Sequence, residues 1–403
     1  MPFPFTLQKR VFLPALILSL LTGLVVHVAD DWWTEWMRGT PPKLVSGPWG
    51  DLQTWDVRLE QPAEYSGFES VTSDGPYWHF GMMSDPAVRT AMLSAGLSEG
   101  EADHLINECR VQSANGFLIK PDAAFLLGLK PEVRASLYKF LSSIPGNRFQ
   151  SIPYYIPGND AGSLFGNGSK LSERVLPVMG KLCYRRNGFT YFSDPEAVLS
   201  VLSSDQERRE FLQNLTSQQA VFLRLLVRPG SDIDKPLNYW ALSMPGVLLK
   251  DLRPLFEAQQ GLQGGGSISV LYLLPPLARE KLFTSPLPPS SGQERLPDCH
   301  WTALNFFRST PDPRMSDNDY AGKFISENYY QVAKPGVAGD LVLLLDDHNK
   351  VIHSSVFIAA DVVFTKNGIN YAQPWILMHE KDLVGTFSAL DLVKVAYFRR
   401  KGI

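Results

Sequence analysis

The spacing of apolar positions changes character along the chain. Residues 11–29, VFLPALILSLLTGLVVHVA, are apolar almost throughout, with His27 the one titratable residue. That run is near the length that crosses a bilayer. Residues 30–80 hold Pro, Gly and Trp without a sustained period and read as a linker. Residues 81–283 read mainly as helices. Ser84-Asp85-Pro86 gives a cap and a first-turn proline, and Ser98 with Glu101 gives a capping box for a helix ending near Arg110. Pro131 opens another helix, with Val133, Leu137, Phe140 and Leu141 on one face. Helical patterns continue over 204–213, 216–227 and 249–258, and SISVLYLL (267–274) is more strand-like. The Pro- and Ser-rich stretch 284–297 reads as a second linker. Beyond it, over 298–403, a short apolar helix precedes strands: GDLVLLL (339–345), KVIHSSVFIA (350–359) and VVFTK (362–366). Asn367-Gly368 is a hairpin signal, and INYAQPWILM and LVKVAYFRR supply more strand. The pattern predicts an α+β protein. It has an N-terminal transmembrane helix, a mainly helical middle domain and a C-terminal domain with an antiparallel sheet.

Charge changes the picture at one end. Lys9 and Arg10 precede the apolar run, and Asp30 and Asp31 follow it. This asymmetry puts the N-terminus inside and the bulk outside. Trp32, Trp33 and Trp36 suit an interfacial belt beside a retained helix. Residues 1–29 are therefore a signal anchor that holds the chain to the membrane or, alternatively, a cleaved signal peptide of a secreted or periplasmic protein. A cut after Ala29 would put His27 where a small residue is preferred. The net charge of −3 over 403 residues gives no basic surface of the kind nucleic acids need.

The chain has three cysteines, Cys109, Cys183 and Cys299. They are odd in number and widely spaced, so they form no disulfide framework and no zinc pair. Cys109 lies on the apolar stripe Ala102, Leu105, Ile106 and reads as a small core residue. Cys183 has Arg185 and Arg186 nearby, which lower a thiol pKa; it too reads as structural. Cys299 follows Asp298, a good N-cap, and so sits in the first turn of a helix. Free N–H groups there stabilise a thiolate, and an imidazole such as His353 can take its proton. His300, His348 and His379 share no metal-ligand spacing. No cofactor is implied.

The ordered words DCHWTALNFF, GDLVLLL and VIHSSVFIAADVVFTKNG resemble the core of the NlpC family of papain-like cysteine peptidases, over roughly residues 296–380. The resemblance makes Cys299 the nucleophile, residues 339–342 the strand after it, and His353 the base. It implies a papain-like α+β domain outside the cytoplasm that hydrolyses amide bonds, with a peptide or cell-wall fragment as substrate. The third polar residue is open. Thr365 lies where a family histidine would fall. Asn367 shares its strand face, and its amide is the better orienter of an imidazole, so Asn367 is favoured. Lys366 points to the other face. The family has small residues after the DC dipeptide, whereas this chain has His300 and Trp301. A tryptophan there packs in the core or fills a substrate subsite. The second reading is a non-catalytic envelope binding or scaffold protein that keeps the fold, with Cys299 buried under Trp301.

Overall fold

The computed structural model describes residues 41–61, 77–113, 116–165, 170–242, 249–287, 296–369, 372–389 and 391–402. The class is α+β with antiparallel sheets. Among the described residues no helix is long and apolar enough to cross a membrane, so the expected fold is corrected to α+β with no transmembrane element among those residues. The apolar run 11–29 lies outside the described residues.

The C-terminal sheet has six strands. Leu341–Leu345, Val351–Ala359, Val362–Lys366 and Trp375–His379 form a meander. Lys394–Arg400 returns beside Leu341–Leu345, and Tyr329–Val332 closes the other edge. Both faces are covered, which is why LVLLL is apolar without alternation. Leu341, Leu343, Val356, Ile358 and Phe364 face a core that includes Trp301 and Leu304 of the helix Cys299–Leu304. Val342, Leu344, Phe357, Val363, Ile376 and Met378 face a second cluster with Trp55, Val57 and Leu383.

The expected linker over 30–80 contains structure. Residues Lys43–Gly47 and Gly50–Leu59 form a hairpin, and Gly50–Leu59 pairs along its length with Gln218–Val227. Gln218–Val227 lies in the stretch expected to be helical. It is a strand because Val221, Leu223, Leu225 and Val227 are buried at every second position along the run. Its sheet shares the core of the C-terminal sheet: Leu52, Leu225, Trp240 and Phe256 pack in one cluster with Trp301 and Leu343. The boundary expected at 284–297 therefore divides the sequence and not the core.

The helical signals hold better between Trp78 and Thr216, which form a core of their own. Ser98 and Glu101 make both bonds of the capping box of Glu99–Asn107. Pro131 sits in the first turn of Pro131–Ser142. Two three-stranded sheets interleave with the helices, so this part is mixed where the sequence reads as helix. One polar residue upsets the expected face: Arg134 is fully buried and pairs with Asp194 at 2.6 Å.

A groove of about 510 Å³ runs between this part and the C-terminal sheet. It holds a charge cluster. His379 bonds Asp361 through Nδ1 and Asp56 through Nε2, each at 2.9 Å, and Asp56 also meets Lys43 at 2.7 Å. The carboxylates of Asp361 and Asp56 push the His379 imidazole up to about 10. A raised folded-state value stabilises below the unfolded value of roughly 6.5 and is lost as pH rises through the folded one. Stability is therefore expected to fall between pH 7 and 10 by about 1–2 kcal/mol, since solvent screens this partly exposed cluster. Thermal melts of His379→Ala should lack that slope; an equal slope in both proteins would refute the assignment.

Candidate active site

Cys299 opens its helix as the sequence predicts. Asp298 is the N-cap, and its carboxylate accepts the backbone N–H of Trp301 at 2.7 Å. Thr302 binds the Asp298 carbonyl through its hydroxyl at 2.7 Å and receives the Trp375 indole N–H at 2.9 Å. The helix start is thus pinned to the sheet. Trp301 lies in the core, its ring 6.5 Å from that of Trp375.

The sheet opens at this point. Phe357 donates its N–H to Asp340 on the strand Leu341–Leu345 side, so alternation directs the N–H of Ser354 the other way, toward Val362–Lys366. Pairing between those two strands runs from Val356↔Phe364 to Ala359↔Val362 and stops short of Ser354. The thiol of Cys299 takes that place: the backbone N–H groups of Ser354, His300 and Cys299 itself face its sulfur. His353, the residue before Ser354, points to the opposite face of the sheet, beside Phe387, and no hydrogen bond joins it to Cys299 among the described residues. It pairs with Leu344, and its ring lies 4.3 Å from that of Phe387. Its Nε2 meets Thr365 Oγ1 at 2.8 Å.

The direction of bonding fixes the proton on His353. Thr365 donates its hydroxyl to Asn367 Oδ1 at 3.3 Å. Its oxygen is then the acceptor for Nε2–H, which leaves Nδ1 with a bare lone pair. Nδ1 is buried and makes no hydrogen bond. Thr365, and not the favoured Asn367, contacts the ring. Asn367 is one bond further out, its amide reaching Met378 Sδ at 3.5 Å. The sequence preference went astray because it weighed amide against hydroxyl and not reach: a residue two further along the same face has moved a strand repeat away from His353.

Burial disfavours the charged form of both Cys299 and His353. Burial pushes the Cys299 thiol up to about 11, against the three N–H groups that favour the thiolate. Burial therefore works against the thiolate expected at the helix start. A six-residue helix contributes little dipole, and desolvation outweighs it. Burial, aided by the charge of His300, holds the His353 imidazolium down to about 3.

Two residues that sequence reasoning set aside share the cysteine's face. His300 Nδ1 lies 2.7 Å from Ser354 Oγ. Lys366 is fully buried, its ammonium bonded to the Gly368 carbonyl at 2.6 Å and 5.8 Å from the Trp375 ring. Burial lowers Lys366 to about 8, while Cys299 and Asp298 hold it up. Strand parity with Phe364, a core residue on the cysteine side, would have found it. Asp340 shapes the loop before its strand, accepting from Gly336 and Val337 and pairing with Arg399 at 2.7 Å.

Comparison with protein-family models, curated proteins and solved structures gives no match.

Proposed function

We propose that residues 296–402 form a cysteine hydrolase unit that cleaves an amide or related acyl bond. The supporting observations are Cys299 at a capped helix start and the directed chain Asn367, Thr365, His353, which leaves the buried Nδ1 unprotonated. His353 lies on the other face of the sheet, so the proton transfer requires the two groups to be brought together when substrate binds. In the first step the thiol sulfur bonds to the substrate carbonyl carbon while its proton passes to Nδ1. The imidazolium then gives that proton to the leaving amine as the C–N bond breaks. Water, deprotonated by the same nitrogen, releases the acyl group and restores the thiol. The Cys299 N–H and the Lys366 ammonium are the donors for the developing oxyanion. The likeness of the three sequence words to NlpC-type peptidases supports a peptide or cell-wall amide as substrate and an extracytoplasmic site.

A specific observation favours a second reading, a binding or scaffold unit without catalysis: Cys299 is only 7% exposed. Turnover separates the two. Purified protein should hydrolyse an activated peptide thioester or anilide, and Cys299→Ala should lose that activity. Because His353 is already unprotonated above about pH 4, activity should climb from neutral to alkaline pH, with no acid limb between about pH 5 and 7. Hydrolysis no faster than that of Cys299→Ala would sink the enzyme reading.

A further inference from the structure

A second constellation lies far from Cys299 along the chain, in the part that spans Trp78 to Thr216. It joins three segments. His104 is on the last turn of the helix Glu99–Asn107, Cys109 follows that helix, and Asp122 caps the helix Ala123–Gly128. His104 Nε2 lies 3.1 Å from Asp122 Oδ2 and 3.6 Å from Cys109 Sγ. One ligand atom from each of the three residues falls within 4.8 Å of the others. Ligand atoms around a tetrahedral zinc ion are roughly 3.3–3.8 Å apart, given bonds of ~2.0–2.3 Å. The three atoms are therefore close to that spacing before any ion draws them in.

The surroundings add what a metal site needs beyond its ligands. Glu108 Oε2 lies 3.2 Å from His104 Nδ1. That carboxylate holds the proton on Nδ1 and turns the Nε2 lone pair toward Cys109 and Asp122, the carboxylate–histidine pairing typical of metal-bound imidazoles. The His104 ring stacks on Phe125, with centroids 6.0 Å apart, so its plane is fixed. Burial raises the Cys109 thiol, with the backbone N–H of Asp122 acting the other way, so the thiol stays protonated until a cation draws its proton off. Asp122 binds the Phe125 N–H through Oδ1 at 2.7 Å, leaving Oδ2 for another partner. Cys109 is a free thiol. His104 and Asp122 stay partly open to solvent, which leaves a fourth position for water.

We propose that His104, Cys109 and Asp122 bind a borderline-soft divalent cation of the zinc class, with water completing a tetrahedron. One nitrogen, one sulfur and one oxygen ligand suit zinc and cobalt; a thiolate disfavours magnesium and calcium. Binding converts the Cys109 thiol to a thiolate and releases its proton to solvent, so metal uptake acidifies an unbuffered solution. The ion ties the end of one helix to the start of the next.

Cobalt titration of the full-length protein, freed of metal with a chelator, tests this. The expected result is one cobalt ion per chain with a thiolate-to-cobalt charge-transfer band, displaced by zinc. Cys109→Ser should abolish the band. Asp122→Asn, which keeps the helix cap but loses the charge, should weaken binding by more than about tenfold. No band in the unaltered protein, or a band that persists in Cys109→Ser, would overturn the proposal and leave His104 as a simple partner of two carboxylates. The result is independent of Cys299.

Discussion

Asp194→Ala should destabilise the protein by about 3–5 kcal/mol, because it strands a buried cation. Arg134 is fully buried. Its guanidinium meets Asp194 at 2.6 Å, and a second nitrogen reaches the carbonyl of Leu126. Tyr138 donates to the same carboxylate at 2.6 Å. Removing the carboxylate leaves the Tyr138 hydroxyl without its acceptor and the buried Arg134 charge uncompensated, held only by the Tyr138 oxygen and the Leu126 carbonyl. Burial raises the Asp194 carboxyl, and Arg134 pulls it back; the ion pair therefore persists only as a pair. The double replacement Arg134→Met with Asp194→Leu removes both charges and should recover most of the loss. Urea melts followed by tryptophan fluorescence would check both. A loss for Asp194→Ala below about 1 kcal/mol would mean that the pair is solvated.

His353→Gln should lower the rate of acyl transfer by about 10²–10⁴, the range for a lost general base. The effects should fall off outward along the bonded chain. Thr365→Val removes the acceptor of Nε2–H, freeing the ring to turn and to swap its proton. It should cost less than His353→Gln and more than Asn367→Ala, since Asn367 touches only the threonine hydroxyl in this chain. The order is measurable as kcat/KM on one substrate. If Asn367→Ala cost more than Thr365→Val, the amide would be the orienter after all, as the sequence alone suggests.

The helix start at Cys299, the strand at Val351–Ala359 and the strand at Val362–Lys366 were legible because their signals are local: an N-cap residue, a β-branched run, a tight turn. The same holds for the capping box at Ser98. What escaped depends on partners distant in sequence. Gln218–Val227 is apolar enough for either period, and it is a strand because Gly50–Leu59 lies beside it. Residues 41–59 looked like a linker for the same reason: a hairpin rich in Trp and Gly declares itself only against a third strand. The burial of Arg134 likewise depends on Asp194, 60 positions away in sequence. Within the site, residue types and order were legible, but charge was not. Whether a thiol at a helix start ionises depends on how deeply it is buried, and sequence spacing is silent on burial.

The most direct test of the central claim is to look for the acyl-enzyme. The protein is mixed with an activated thioester of a small peptide, quenched in acid and weighed intact by mass spectrometry, then digested to locate any adduct. The account predicts one acyl group on Cys299, appearing faster at pH 8 than at pH 6 and much more slowly in His353→Gln. No adduct on Cys299, or an adduct that forms at the same rate without the His353 imidazole, would contradict it.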